Sequence, residues 1–186
     1  MKAIPTSIPD VLIIEPTYHG DARGFFYESY NQRSFQAATG LTPNFVQDNH
    51  SRSLKGVLRG LHYQLRHPQA KLCRVIEGEV LDVAVDVRVG SLFFGKWTSA
   101  VLSAQNHRQI YVPAGFAHGF VVLSETAQFL YKCSDFYDPS DEHGILCNDP
   151  ELNIAWGLTD PILSEKDRKN LPLAQVPREL LPRYQP

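Results

Sequence analysis

A histidine and a lysine close together in strand-like sequence carry the clearest chemical signal of this chain. His62 lies in the segment Arg59-Gly60-Leu61-His62-Tyr63-Gln64, and Lys71 begins the next strand-like run. A histidine accepts a proton near neutral pH, and a nearby cation stabilises the charge left when a proton beside a carbonyl is removed. The pair favours an enzyme acting on a small molecule, and a hydrogen-bonded structural role is the alternative for His62.

The spacing of Arg59 and His62 raises a question about the strand that holds them. Side chains alternate between the two faces of a strand, so residues three apart point to opposite sides. A β-bulge at Gly60 would re-aim one of the two side chains. Both residues therefore belong to one site only if Gly60 interrupts the regular alternation.

A second motif resembles the cupin jelly rolls. The segment Pro113-Ala114-Gly115-Phe116-Ala117-His118 matches the cupin pattern PxGxxH, whose histidine often binds a metal together with an HxH pair from an earlier motif. This chain has His62-Tyr63-Gln64 at the earlier motif, and an amide is a poor substitute for imidazole on zinc, iron or copper. We therefore predict no bound metal and no other cofactor. A metal-dependent cupin is an alternative that His118 supports and Gln64 opposes.

Further polar and aromatic residues could bind a substrate. Arginine pairs with phosphate oxygens in bidentate geometry, which makes Arg23 and Arg59 candidates for that role. Gln47 and Asn49 alternate on one strand face and could contact hydroxyls or a base, and Tyr137 could stack on a planar base. A solvated loop position also accounts for Arg23, and ordinary packing for Tyr137.

The segment Ser164-Glu165-Lys166-Asp167 has a structural explanation of its own. The pattern Ser-x-x-Asp resembles a capping box at a helix start, which would account for both end residues. A functional role for Asp167 requires that it approach His62 in space.

Composition and charge limit the class of protein. The 186 residues fit one domain, and the formal net charge of -2 gives no general attraction to nucleic acid or anionic lipid. Cys73, Cys133 and Cys147 are too scattered for a disulfide framework or a zinc site. Neither a signal peptide nor a membrane span is recognisable. We therefore expect a cytoplasmic protein without nucleic-acid or membrane partners.

Short alternating runs bounded by Gly, Pro, Asn and Asp predict an all-β chain. Asn31 to Gly40 is expected to form a short helix that Gly40 ends. The polar residues 51–53 are expected to separate two strands, and residues 19–24 to form a turn or loop. Strands are predicted at residues 11–16, 25–30, 45–50, 56–64, 71–76, 79–87, 97–102, 109–112, 119–123 and 127–133.

Many antiparallel strands with little helix predict a sandwich or jelly roll. We expect a cupin-like double-stranded β-helix with short peripheral helices and a C-terminal tail. Residues 1–186 would form a single domain, with N-terminal strands at 1–50, the jelly-roll core at about 51–148 and a helical tail at 149–186. Within the core, one strand should place a more polar face opposite Leu81, Val83, Val85 and Val87, made of Asp82, Ala84 and Asp86.

Several long motifs follow one another between about Ile8 and Asp167. They are DARGFFYESYNQRSF, FVQDNHSRS, GVLRGLHYQ, AKLCRVIEGEVLDVAVDVR, GSLFFGKW, LSAQNHRQIYVPAGFAHGF, FLYKCSDFYDP, NDPELNIAW and LSEKDR. Taken in this order they resemble the dTDP-4-dehydrorhamnose 3,5-epimerase family, and long motifs in one order are far more specific than a lone PxGxxH. The resemblance implies a cupin-like jelly roll that forms a homodimer and works without metal.

The resemblance also implies roles for individual residues. His62 would be the catalytic base, oriented by Asp167. Lys71 would stabilise the enolate oxygen, and Tyr131 would return a proton to the opposite face of the sugar. Tyr137 would stack on thymine. The remaining implied contacts with the nucleotide sugar are Arg23, Glu28, Gln47, Asn49, Arg59, His118, Glu142 and Lys166, and Lys71 is counted among the substrate contacts as well.

The implied reaction is epimerisation at C3 and C5 of dTDP-4-dehydro-6-deoxy-D-glucose, which gives dTDP-4-dehydro-L-rhamnose in dTDP-rhamnose biosynthesis. The alternatives are a single-centre epimerase of a dTDP-4-keto sugar, a metal-dependent cupin and a non-catalytic nucleotide-sugar binder. Two positions depart from the family pattern: Ala70 stands where a glycine is common, and Cys73 where an aliphatic residue is expected. Neither departure removes a functional group.

Overall fold

The computed structural model describes residues 1–185. Its strands and helix, in chain order, are β1 (Lys2–Pro5), β2 (Leu12–Glu15), β3 (His19–Asp21), β4 (Gly24–Phe26), α1 (Gln32–Thr39), β5 (Gln47–Leu54), β6 (Leu58–Gln64), β7 (Lys71–Glu77), β8 (Glu79–Asp86), β9 (Trp97–Ser103), β10 (Gln109–Val112), β11 (Phe116–Val122), β12 (Thr126–Cys133) and β13 (Glu142–Gly144). Short 3-10 helices follow at Asp167–Lys169, Leu173–Gln175 and Arg178–Leu180. Strands dominate, as the alternating sequence predicts.

The strands form a sandwich of two antiparallel sheets. The six-stranded sheet has the order β1-β2-β10-β7-β12-β5, and the five-stranded sheet has the order β13-β6-β11-β8-β9. Strands β3 and β4 form a separate hairpin. Neighbours in sequence such as β5 and β6, or β7 and β8, lie in different sheets, which is typical of a jelly roll. The predicted cupin-like fold is confirmed.

Apolar side chains fill most of the space between the sheets. Val75 of β7 and Phe129 of β12 pack there against Val80 and Phe120 of the opposite sheet. Burial of each such side chain contributes roughly 1.5–3 kcal/mol. Polar side chains occupy the end of this interior where Lys71 pairs with Cys133. The apolar part of the sandwich therefore holds the two walls of a polar site in place.

The outer faces of both sheets are also covered. Phe35 of α1 packs with Leu72 and Tyr111 on the outside of the six-stranded sheet. The predicted tail covers the outside of the five-stranded sheet, where Trp156 and Leu173 join Val83, Val85 and Val87. Pro186, the last residue of that tail, lies outside the described residues. Within residues 1–185, every helix is too short or too polar to cross a membrane.

Helix α1 agrees with the helix predicted at residues 31–40. The side-chain oxygen of Asn31 accepts hydrogen bonds from the backbone N–H groups of Arg33 and Ser34 at 3.0 and 3.2 Å, which caps the N-terminus. Gly40 ends the helix in the left-handed region, with φ of 74°. The caps set the length of the helix, and the buried Phe35 fixes which face meets the sheet.

Three local predictions are wrong. Residues 51–53 do not separate two strands but form the second half of β5, and the turn comes at residues 55–56. Because β5 is an edge strand, polar side chains that would be costly in a central strand are tolerated there. The predicted loop at 19–24 contains β3 and the turn of a hairpin, and the strand predicted at 25–30 ends at Phe26.

Gly60 carries the β-bulge on which the site depends. His62 pairs with His118 and Arg59 pairs with Phe120, so a three-residue step on β6 opposes a two-residue step on β11. A Cβ atom on Gly60 would lie 2.6 Å from the Cα of Gly119, so only glycine fits this approach. The bulge shifts the alternation by one residue, and Arg59 and His62 both line the same cavity.

Candidate active site

A cavity of about 640 Å³ opens between the two sheets. Strands β5, β6, β7, β11 and β12 contribute to it, and residues 162–164, 166 and 167 of the C-terminal segment complete its wall. Its volume falls within the range of sites for small organic ligands. The predicted site residues that line it are Gln47, Asn49, Arg59, His62, Lys71, His118, Tyr131, Tyr137, Glu142, Lys166 and Asp167.

Asp167 approaches His62 despite a separation of 105 residues in the chain. The Nε2 atom of His62 lies 2.6 Å from Oδ1 of Asp167. The Ser164 hydroxyl oxygen accepts the backbone N–H of Asp167 at 3.1 Å, so half of the predicted capping box is present. The other half is absent, because the Asp167 carboxylate is directed to His62. This contact meets the geometric condition for a functional role of Asp167.

The Asp167 carboxylate is held in its ionised form. Burial works to raise its pKa, but the hydrogen bond and charge of His62, with hydrogen bonds from Ser164 and the Gly60 backbone, outweigh burial and lower the pKa below its usual value. The fixed negative charge of Asp167 beside Nε2 orients the imidazole ring and keeps a proton on that nitrogen. The nitrogen left free to accept a proton is Nδ1.

Glu142 faces that second nitrogen and connects two other residues of the cavity. Its Oε1 atom lies 3.6 Å from Nδ1 of His62. Its Oε2 atom accepts hydrogen bonds from the Tyr137 hydroxyl, at 2.9 Å, and from the Lys166 ammonium. Burial acts to raise the pKa of Glu142, while Lys166, His62 and Tyr137 lower it below its usual value. Glu142 thus links the histidine to two exposed side chains.

Lys71 and Tyr131 lie on the opposite, six-stranded sheet. Tyr131 pairs with Cys73 across β12 and β7, so Tyr131, Cys73 and Lys71 share one face. The ion pairs at the cavity join His62, His118 and Lys166 to carboxylates. Lys71 forms no such pair with any of residues 1–185, so its charge is available to a ligand.

The environment of Tyr131 keeps its phenol protonated. Burial, together with the nearby groups Cys133, Cys73 and Glu142, raises the pKa of Tyr131 to about 12, while Arg59 acts to lower it. A neutral phenol on one wall therefore faces a histidine with a free nitrogen on the other wall. This arrangement can move protons on opposite faces of a bound molecule.

Amide and guanidinium groups beside these residues are held by local hydrogen bonds. The side chain of Gln47 donates to Asn49 at 3.1 Å and accepts the backbone N–H of Tyr137 at 3.0 Å. Arg59 donates through Nε to the Ser53 hydroxyl at 3.0 Å. These contacts fix the groups while leaving further donors for a ligand.

His118 is paired with an aspartate that was not among the predicted site residues. Its Nε2 atom lies 2.9 and 3.0 Å from the two carboxylate oxygens of Asp82. Asp82 lies on β8, where the predicted alternation is correct but the polar face is buried as completely as the apolar face. The carboxylate of Asp82 in the middle of an apolar strand could have identified it as a site residue, because a buried charge requires a partner.

Gln64, which replaces the second histidine of the cupin HxH motif, is used in the structure of a loop. Its Nε2 donates to the carbonyl oxygens of His67 and Phe136 at 2.7 and 3.1 Å, and its Oε1 accepts the Asp138 N–H at 2.9 Å. These bonds occupy both ends of the amide. Gln64 thereby positions the loop that carries Tyr137.

Arg23 and Glu28 lie away from the cavity within one chain. Arg23 is highly exposed and pairs with Asp21 on the β3–β4 hairpin. The Glu28 carboxylate accepts a hydrogen bond from the Asn31 side chain at 2.8 Å. Of the predicted site residues, these two are the ones that the fold of a single chain does not bring to His62.

Comparison with known proteins points to one family. The family model described as dTDP-4-dehydrorhamnose 3,5-epimerase matches residues 5–175. A dTDP-4-dehydrorhamnose 3,5-epimerase of Pseudomonas aeruginosa is 61% identical over 177 residues, which are 95% of this chain and 98% of the relative.

Solved structures give the same result. The dTDP-6-deoxy-D-glucose-3,5-epimerase of Legionella pneumophila Philadelphia 1, in complex with dTDP-4-keto-L-rhamnose, has a TM-score of 0.97 at 52% identity, covering 100% of this chain and 99% of that one. A 3'-monoepimerase of Streptomyces bikiniensis, in complex with dTDP-quinovose, has a TM-score of 0.92 at 38% identity, covering 100% and 94%. The same fold therefore occurs in two-centre and one-centre epimerases.

Proposed function

The chain belongs to the dTDP-4-dehydrorhamnose 3,5-epimerase family, and from this membership we propose that it converts dTDP-4-dehydro-6-deoxy-D-glucose to dTDP-4-dehydro-L-rhamnose. The reaction inverts C3 and C5, the carbons on either side of the C4 ketone. One observation supports it above all others: a histidine paired with a carboxylate and a protonated tyrosine face one cavity from opposite sheets. Inversion needs proton removal on one face and proton return on the other.

Proton removal falls to His62. Its Nδ1 atom takes the proton from C3 or C5, and the electron pair of the broken C–H bond forms a C=C bond as the C4 carbonyl oxygen gains negative charge. Asp167 acts on Nε2, where it stabilises the imidazolium that results. The ketone acidifies both hydrogens, so one base serves both carbons when the sugar shifts in the site.

Lys71 provides the cation for the enolate oxygen. An ammonium already in place at the site of developing charge lowers the barrier, because no solvent has to reorganise. Its lack of a carboxylate partner among the described residues supports this role. The enolate then collapses, its electron pair takes the proton of the Tyr131 hydroxyl on the opposite face, and the carbon is inverted. Water then takes the proton from the His62 imidazolium and gives one to the Tyr131 phenolate, which resets both groups before the second carbon reacts.

The remaining cavity residues suit the nucleotide and diphosphate. Arg59 can pair with phosphate oxygens, and Gln47 and Asn49 offer amides to hydroxyls or the base. Tyr137 is 49% exposed beside the cavity and is held by Glu142, which leaves its ring available to stack on thymine. His118, Glu142 and Lys166 complete the proposed contacts. Binding energy from these remote groups positions the sugar between His62 and Tyr131.

Arg23 and Glu28 enter the proposal through a homodimer. The hairpin that carries Arg23 exposes Phe25 and Phe26 at 61% and 70%, and exposed aromatic residues are common at protein interfaces. We infer that this hairpin packs on a second subunit and brings Arg23 and Glu28 to the partner's cavity. We also place the enzyme in the cytoplasm, since Cys73, Cys133 and Cys147 are free thiols.

Exchange with solvent deuterium tests the reaction. Purified protein and dTDP-4-dehydro-6-deoxy-D-glucose in D₂O should give deuterium at both C3 and C5, with dTDP-4-dehydro-L-rhamnose as product. Exchange at one carbon alone would instead favour a single-centre epimerase, an alternative that the likeness to the 3'-monoepimerase supports. Binding without exchange would refute catalysis and leave a nucleotide-sugar binder.

Two substitutions separate the steps. His62→Ala should lower exchange at both carbons by roughly 10²–10⁴-fold, whereas Tyr131→Phe should retain exchange and lose inversion. His50→Ala and Tyr111→Phe, on residues outside the cavity, serve as controls with unchanged rates. Equal residual turnover in the His62 and Tyr131 variants would contradict the assigned roles.

A further inference from the structure

Three buried side chains from three strands meet beside the active cavity. Cys73 comes from β7, Asp82 from β8 and His118 from β11. The Sγ atom of Cys73 lies 3.8 Å from Nε2 of His118, and that nitrogen lies 2.9 Å from Oδ1 of Asp82. All three donor atoms lie within 4.8 Å of one another. Cys73 has no part in the proposed epimerisation, so this grouping needs a separate explanation.

The donor types and distances suit a tetrahedral metal ion. Zn²⁺ binds thiolate, imidazole and carboxylate at about 2.0–2.3 Å, which sets neighbouring donors roughly 3.3–3.6 Å apart. Two of the three separations, 2.9 Å from His118 to Asp82 and 3.8 Å from His118 to Cys73, bracket that range, and the third is at most 4.8 Å. An ion could therefore enter with small side-chain movements. A thiolate and an imidazole together favour a soft or borderline cation over Mg²⁺ or Ca²⁺.

Charge balance also favours a divalent cation. Cys73 and Asp82 have no exposed surface and His118 is 6% exposed, so a net charge left in this position would be costly. A thiolate, a carboxylate and a neutral imidazole carry two negative charges, which one divalent cation cancels.

We propose that Cys73, Asp82 and His118 form an inhibitory site for a thiophilic divalent cation of the Zn²⁺ class. The ion would take the fourth ligand from water or from the sugar in the cavity, which His118 lines. It would link the six-stranded sheet, through Cys73, to the five-stranded sheet, through Asp82 and His118. Bound metal therefore stabilises the fold while it removes His118 from substrate contact. This is distinct from a catalytic cofactor, and the binding itself does not depend on the proposed reaction.

Cobalt and zinc titrations of the chelator-treated protein test the site. Co²⁺ should bind at one ion per chain and give a thiolate-to-cobalt absorption band in the near ultraviolet. Zn²⁺ should displace it, raise Tm and inhibit turnover, and Mg²⁺ should do none of these. Absence of the thiolate band in the folded protein would overturn the proposal, whether or not the protein is an active epimerase.

Matched cysteine variants locate the effect. Cys73→Val restores the aliphatic residue expected at this position, and it should keep basal turnover, lose the cobalt band and require at least about tenfold more Zn²⁺ for half-inhibition. Cys73→Ser provides the same test if the valine variant folds poorly. Cys147→Val changes a cysteine on the other side of the five-stranded sheet and should bind metal as the wild type does. Equal zinc sensitivity of wild type and Cys73→Val would refute the site.

Discussion

Replacement of Asp167 by asparagine changes one charge beside His62, the proposed catalytic base, while retaining the shape of the side chain. The Asp167 carboxylate accepts a hydrogen bond at 2.6 Å from Nε2 of His62. Ser164 and the Gly60 backbone also act on this carboxylate and help to lower its pKa. An asparagine offers only one oxygen to these donors, and its NH₂ group must face at least one of them. The substitution therefore tests whether the charge at Nε2 controls His62.

The magnitude depends on which end of the amide faces the histidine. If the oxygen faces Nε2, a charge-assisted hydrogen bond becomes a neutral one, and the difference of about 1–1.5 kcal/mol slows proton removal roughly tenfold. If the NH₂ group faces Nε2, that nitrogen must accept, the ring proton moves to Nδ1, and the base is blocked. The same tautomer error in a serine-protease triad costs about 10⁴ in kcat.

The second arrangement should prevail. The Gly60 backbone at the bulge is one of the groups that lower the pKa of Asp167, so its N–H competes with Nε2 for the single oxygen of asparagine, which leaves the NH₂ group for the imidazole. We therefore expect Asp167→Asn to lower exchange at C3 and C5 by at least about 10²-fold. Asp160→Asn removes an exposed carboxylate from the same C-terminal segment and should leave both rates unchanged.

Exchange in D₂O measures the rates, and ¹⁵N NMR of labelled histidine reads the tautomer directly. The wild type should show the proton on Nε2 of neutral His62, and Asp167→Asn should show it on Nδ1. A variant that loses less than about threefold in exchange, or that loses activity without a change of tautomer, would refute the argument. In either case the role of Asp167 would be structural support for the C-terminal segment.

Two further predictions concern Tyr131 and Gly60. Because the pKa of Tyr131 is about 12, its phenol stays largely protonated up to pH 11. The rise in tyrosinate absorbance between pH 9 and 11 should therefore be nearly the same in wild type and Tyr131→Phe. A rise that is smaller by one full tyrosine in the variant would contradict this pKa. Gly60→Ala should lower the free energy of unfolding in urea by about 2 kcal/mol more than Gly24→Ala. The two glycines have nearly the same φ, 126° at Gly60 and 127° at Gly24, but an added Cβ would meet Gly119 only at Gly60. Equal losses of unfolding free energy in the two variants would show that backbone strain alone is responsible.

Local sequence signals predicted most of the elements because their causes are local. Alternation identified the strands, and Asn31 and Gly40 marked the two ends of α1. The errors arose where the signal depends on neighbours that the sequence does not reveal. Residues 51–53 look like a polar linker, yet they continue β5 because an edge strand exposes one side to solvent. Edge position follows from the order of strands, which no local pattern encodes.

Motif resemblance predicted site residues that local patterns could not connect. The 105 residues between His62 and Asp167 carry no spacing signal, because the contact arises only when the C-terminal segment folds over β6. Neither the motifs nor the local pattern selected Asp82, because the alternation along β8 fitted an ordinary polar face. Motif resemblance also assigned Arg23 and Glu28 to the cavity, where the fold of one chain does not bring them. A family motif names residues without stating where the fold of a single chain places them.

The interior face of β8 explains why one sandwich can hold both an epimerisation site and a metal-responsive site. A buried Asp82 must be compensated, and His118 from the neighbouring strand does so. Once this pair exists at the cavity wall, a single residue on the facing sheet decides whether a third donor is present. An aliphatic residue at position 73 would leave the pair with two donors, too few for tight binding, whereas the thiol of Cys73 provides the third. The argument against zinc from cysteine spacing does not apply here, because the partners of Cys73 are a carboxylate and an imidazole from the opposite sheet.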